Sequence, residues 1–198
     1  GLIDVNKIEK AINMKTFGIM AVNLNGMSCD YGALKKIINK HKINLFEDNA
    51  QGFGAQFKGK FAGTFGIFSA FSFYPTKILG CFGDGGAIVT NNFKLFNKAK
   101  RYRNHGRDEK GAILSWGINS RLDNMQAAIL NHNLKRININ IKKRVFLSNI
   151  FYNKTKNNPN INFHIRNNLN DNYLDVFQNL EIQVDNRRNL IKFLNKNK

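Results

Sequence analysis

Lys77 is placed where a lysine can do amine chemistry. It follows an apolar, aromatic run from Phe68 to Tyr74 that stops at Pro75. It precedes a glycine-rich stretch, Gly80 to Gly86, and then a second short apolar run, Ala87 to Val89. A primary amine at a rigid strand end, walled by aromatics, is partly desolvated, which lowers its pKa and makes it a usable nucleophile of the Schiff-base kind. A solvated lysine beside a turn fits the same residues taken alone. Asp48 ends another strand-like run, and Gln51 follows three residues later. Ligands of open α/β sheets sit beyond the carboxyl ends of strands, where Asp48 and Lys77 both fall. In isolation a carboxylate capping a turn fits Asp48 equally.

The elements that must position these residues alternate. Residues 17–24 read as a buried strand, and 30–41 as an amphipathic helix with Leu34, Ile37 and Ile38 inward. Residues 43–46 form the next strand, and glycines punctuate a turn-rich stretch over 52–66. Strands follow over 67–74 and 87–90, then a helix over 93–104. A long helix opens at Ser120 or Asp123 and continues toward Ile150. This rhythm predicts an α/β fold, with a mainly parallel sheet and helices on both faces. From Asn131 the texture changes, and 153–172 is polar and weakly periodic. Residues 173–184 then alternate as a half-buried strand, and 187–194 read as a helix. The expected division is a large domain over 1–150, a linker over 151–172 and the start of a second, small α+β domain over 173–198.

At 198 residues the chain is long enough for one domain with a sizeable core. Its net charge of +18 raises a nucleic-acid partner as a question. The basic residues are spread along the sequence without a block of like charge, and 32 asparagines point to a compositional bias instead. A basic nucleic-acid-binding protein is therefore the weaker reading. Cys29 and Cys81 lie far apart with no metal-ligand spacing, so no metal site is expected and a reduced, cytoplasmic setting is. No apolar run approaches the ~20 residues of a membrane span.

Four segments in order carry a resemblance. They are Phe46 to Gln51, Phe71 to Lys77 with Gly83 to Ala87, Arg103 to Arg107, and Gly117 to Asp123 leading into Gln126 to Ala128. Together they resemble the DegT/StrS sugar aminotransferases, pyridoxal-phosphate (PLP) enzymes of the aspartate aminotransferase fold, fold type I. The likeness runs from about Ile12 to about Arg136, with an echo over 186–194. Family members are longer at both ends, so the chain reads as a fragment, an incomplete large domain that is not expected to transaminate alone.

The resemblance implies roles. Lys77 would hold PLP covalently and move the substrate proton, and Asp48 would pair with the pyridine nitrogen. Gln51 would bond the phenolic oxygen and Ser72 the phosphate. Asn119 would reach the phosphate of a neighbouring subunit, implying a homodimer. The implied substrates are a nucleotide-linked keto sugar and an amino-acid donor such as glutamate, in amino-sugar or cell-surface polysaccharide biosynthesis. Some relatives are dehydratases with histidine in place of the lysine, so Lys77 favours transamination. A remnant with the fold but no activity is the alternative. Asn49 replaces a small apolar residue usual in the family, which is expected to perturb packing slightly. His105, Arg107 and Arg121 stay open, and His105 reads at least as well as a turn residue.

Overall fold

A computed structural model describes residues 1–163 and 172–197. Helix α1 (Val5–Ala11) precedes strand β1 (Gly18–Val22). Helix α2 (Tyr31–His41) leads to β2 (Asn44–Asp48), followed by the short strands β3 (Gln56–Phe57) and β4 (Lys60–Phe61). Strands β5 (Phe68–Ser72) and β6 (Gly86–Val89) precede the helices α3 (Phe93–Tyr102), α4 (Asn124–Leu134) and α5 (Ile137–Thr155). The chain continues through β7 (Ile161–Phe163), β8 (Tyr173–Leu174), β9 (Ile182–Val184) and α6 (Arg187–Lys196).

The main sheet runs β1-β2-β5-β6, with the first three strands parallel and β6 antiparallel to β5. Its register sorts the side chains by face. Ile19, Ala21, Leu45, Glu47 and Ser69 point to one face and are buried against a core that includes Tyr31 and Leu34 of α2. The opposite face carries Met20, 55% exposed, and Ile88, 58% exposed, and ends in Asp48 and Ser72. Asp30 caps α2, its carboxylate accepting from the Ala33 N–H at 3.0 Å.

Glu47 is 1% exposed yet fully engaged. Its carboxylate accepts from the backbone N–H groups of Gly63, Phe65 and Gly66 at 2.6–2.7 Å. A buried carboxylate needs such donors, because isolated charge is costly to bury. Here the donors come from the turn that returns the chain to β5.

Two expectations change. The long helix divides into α4 and α5 at Lys135 and Arg136, without proline or glycine. Asn133 Nδ2 donates to the Gly80 carbonyl at 2.9 Å, and beyond the break Ile137 and Ile141 turn into the core. The predicted strand over 173–184 is also two strands. Strand β8 pairs antiparallel with β3, and β9 with β7, while Val176 and Phe177 between them are buried. Among the described residues, no helix is long and apolar enough to cross a membrane.

Tyr31 stacks on Phe65 with ring centroids 4.0 Å apart, and its hydroxyl accepts from Asn23 Nδ2 at 2.7 Å. Burial pushes that hydroxyl far above its ordinary range, and the Glu47 charge adds to the effect. The folded chain keeps the proton at a pH where the unfolded chain loses it. The stability involved is therefore intact below about pH 10 and falls as pH rises beyond it. Tyr31→Phe is expected to cost about 1–2 kcal/mol at neutral pH. It should also lose less stability than the parent between about pH 9 and about pH 11, as measured by urea unfolding.

Candidate functional site

Three parallel strands end side by side, and the residues just past them build the site. Asp48 is the last residue of β2 and pairs in register with Ala70; Ser72 closes β5 on the same face. Asp48 Oδ1 accepts from the Ala50 N–H at 3.0 Å, which fixes the carboxylate in an Asx turn. Its Oδ2 has no hydrogen bond among the described residues. Ser72 Oγ accepts from the Tyr74 N–H at 3.3 Å, which leaves its own proton free to be donated.

Gln51 is oriented from the next strand over. Its Oε1 accepts from the Asn25 N–H at 2.6 Å. A backbone N–H can only donate, so the carbonyl end of the amide is identified and Nε2 is the remaining donor. Asn25 has a positive φ of 58°, a conformation asparagine tolerates better than most residues. It is held there by Glu181 Oε2, which accepts from its Nδ2 at 2.5 Å, and by Asn179 Nδ2, which donates to its Oδ1 at 3.1 Å.

Asn49 corrects an expectation. It is buried and fully used rather than a perturbation of packing. Its Oδ1 accepts from Asn23 Nδ2 at 2.9 Å, and its Nδ2 donates to the Ala62 carbonyl at 3.0 Å. An apolar side chain could make neither bond.

Lys77 rides on a tight loop. Its backbone N–H donates to the Tyr74 carbonyl at 2.9 Å, and the Cys81 N–H to the Phe73 carbonyl at 2.8 Å. A Cβ at Gly80 would lie 2.6 Å from the Pro75 carbonyl oxygen, so only glycine lets the loop close. Ile78 and Leu79 are buried in the core directly after the lysine. Each such apolar anchor is worth roughly 1.5–3 kcal/mol. The half-buried Lys77 side chain makes no ion pair or hydrogen bond among the described residues. Gln178 brackets it: Oε1 accepts from the Ile78 N–H at 2.9 Å, and Nε2 donates to the Thr76 carbonyl at 2.8 Å.

Asn119 stands apart. It is exposed, bonded through Oδ1 to Arg121 Nε at 3.1 Å, and lines a cleft of about 890 Å³ beside β6 with Arg103 and Arg121. Asp48, Gln51, Ser72 and Lys77 do not line that cleft. His105 has φ 58° ahead of Gly106 and is a turn residue. Sequence reasoning missed Asn25, Gln178, Asn179 and Glu181. The Asn25-Gly26 pair is a turn signal that pointed to the first; nothing in spacing marks the others. Among the described residues, no cluster of histidine, cysteine or acidic side chains could hold a metal.

Residues 1–198 match the DegT/DnrJ/EryC1/StrS aminotransferase family, and the chain belongs to it. It is 43% identical over 128 residues to the dTDP-3-amino-3,4,6-trideoxy-alpha-D-glucose transaminase of Streptomyces venezuelae, covering 65% of this chain and 34% of that protein. The solved structure of S. venezuelae DesV with a ketimine intermediate superposes with a TM-score of 0.93 at 33% identity, over 99% of this chain and 52% of that one. Bacillus subtilis NtdA, solved with bound PMP, gives 0.85 at 31% identity, over 99% and 45%. The chain thus spans about a third of the first of these, a curated relative, and about half of the solved ones. The mainly parallel sheet, the partial fold type I architecture and the family agree with the resemblance read in the four segments.

The Asn49 bonds yield a direct test. Asn49→Ala strands the Ala62 carbonyl and frees Asn23, and is expected to destabilise the fold by about 2–3 kcal/mol in urea unfolding.

Proposed function

We propose that the protein is a PLP-dependent aminotransferase that moves an amino group from an amino acid, glutamate by preference, to a nucleotide-linked keto sugar. The observation that carries this reading is the register of β2 and β5. It sets Asp48 and Ser72 on one face at neighbouring strand ends, with Lys77 following on a closed loop. The donor set fits the cofactor: an acceptor oxygen for a ring N–H, a donor amide for a phenolic oxygen, a free hydroxyl for a phosphate and an amine for an aldehyde.

PLP supplies a conjugated ring that accepts the electron pair left when a proton departs from the substrate carbon. The chain supplies the rest. Asp48 Oδ2 would accept from the ring nitrogen and keep its proton there. Gln51 Nε2 would donate to the phenolic oxygen, and Ser72 Oγ to the phosphate. Lys77 Nζ would hold the cofactor and is the group placed to take up and return the substrate proton. An intact lysine supports transamination rather than dehydration.

Asn119, exposed and lining a cleft that the other four do not, suits a contact to the phosphate of a second subunit, and a homodimer follows from that role. A division near the notional boundary at residue 150, placed after α5 ends at Thr155, rests on β7 and β9, which pair apart from the main sheet. Residues 173–178 would then belong with the large domain, since β8 joins β3 and Val176 joins the core. A cytoplasmic enzyme of nucleotide-sugar metabolism, acting neither on nucleic acid nor at a membrane, completes this reading.

Borohydride reduction of the PLP-treated protein, followed by peptide mapping, is expected to place the adduct on Lys77; an adduct on another lysine would sink the assignment. Asp48→Asn should keep the fold but lower transamination by roughly 30- to 150-fold, the worth of a charged hydrogen bond. Near-parent turnover would refute the role of Asp48.

A further inference from the structure

We infer that Gln178 is a positioning residue for Lys77, acting through the two peptide groups that flank it. The inference rests on the reading of Lys77 as the cofactor-holding amine and deepens it.

Gln178 is 9% exposed and lies a hundred residues from its partners. One amide spans the lysine: Oε1 takes the N–H of Ile78, just after it, and Nε2 gives to the carbonyl of Thr76, just before it. Both peptide planes next to the Lys77 Cα are thereby tied to one rigid group, which fixes the direction in which the side chain leaves the loop. A carboxylate could make only the first bond, and an apolar side chain neither.

The amide is itself held firmly. Arg144 Nη1 donates to the carbonyls of Phe177 and Gln178 at 3.1 and 3.2 Å. Phe177 is kept at a positive φ of 50°, a strained conformation for a phenylalanine. On the other side the Val176 N–H donates to the Gly26 carbonyl at 2.8 Å. A Cβ at Gly26 would lie 2.7 Å from the Gln178 nitrogen, so the turn approaches as closely as glycine permits. Asn179 and Glu181, next along, hold Asn25, whose N–H orients Gln51. One short segment therefore sets the amine and the ring-facing amide relative to each other. Enzymes gain much of their rate from such fixed geometry, and small misplacements are costly.

The test compares Gln178→Met, similar in length and lacking both bonds, with Gln178→Glu, which keeps only the acceptor. Amide hydrogen exchange at Ile78 is read without cofactor. With PLP added, the rate of covalent adduct formation at Lys77 and the pH midpoint of the bound chromophore are read. In Gln178→Met, Ile78 exchange is expected to quicken and adduct formation to slow by about tenfold, as two neutral hydrogen bonds allow, with a displaced pH midpoint. Gln178→Glu should protect Ile78 yet form the adduct slowly. It should approach the parent as pH falls toward about 4–5 and the introduced carboxyl gains a proton to donate. A merely structural glutamine would leave the midpoint and this pH-dependent rescue unmoved. Unchanged Ile78 exchange, or parent-like adduct rate and midpoint in Gln178→Met, overturns the inference. If that variant does not fold, Gln178→Glu decides through the adduct alone: a parent-like adduct rate and midpoint at neutral pH overturns the inference. A parent protein that forms no adduct at Lys77 would instead defeat the cofactor reading, while the exchange data still report on the clamp.

Discussion

The hydrogen bond from Asn23 to Asn49 joins the first residue past β1 to the first residue past β2, and the site stands on it. Parallel strands end with peptide groups that no neighbour satisfies, and the turns leaving them are buried here. The asparagine pair meets that demand with side chains. Asn23 Oδ1 also accepts from the Cys29 N–H, and Asn49 Nδ2 reaches the Ala62 carbonyl. Glu47 does the same two residues earlier on the core face of β2, collecting the N–H groups of the turn into β5. Asp48, between these two anchored residues, faces the other way. A carboxylate meant to meet a ligand is thus flanked by neighbours with no freedom to move.

The fold could be read in the chain where the pattern was local. The strand periods, the apolar face of α2 and the glycines around Lys77 all act within a few residues, and β1, α2, β2, β5, β6 and α3 lie close to where those signals put them. The α4–α5 break could not be read, because no proline or glycine marks it, and the contacts on either side, such as that of Asn133 with Gly80, lie far away in sequence. Residues 173–184 alternate as one strand would. The middle of that stretch nevertheless leaves β geometry, because Val176 and Phe177 find the core and Asp175 meets the Ser28 N–H.

The candidate site divides along the same line. Lys77, Asp48, Gln51 and Ser72 were marked by their neighbours, and the strand register shows why Asp48 and Ser72 share a face. Asn49 was misjudged because a polar residue in an apolar slot looks like a defect until its partners are known. Gln178 carries no local mark at all. Its environment is made of peptide groups from a loop a hundred residues upstream, and any sequence can offer those.

The reach of that glutamine has a consequence for how the chain comes to be folded. The strands β1, β2 and β5 are complete once residue 72 has been made, but the bonds to Thr76, Ile78 and Asn25 wait for residues 178–181. At synthesis rates of about 5–20 residues per second, a nascent chain carries the lysine loop for roughly 5–20 s before its clamp exists. Contacts so distant in sequence also form slowly in a finished chain, since loop closure precedes the reward. In a chain made from its N-terminus, the clamp on the amine can therefore form only after the strands that support it have been made.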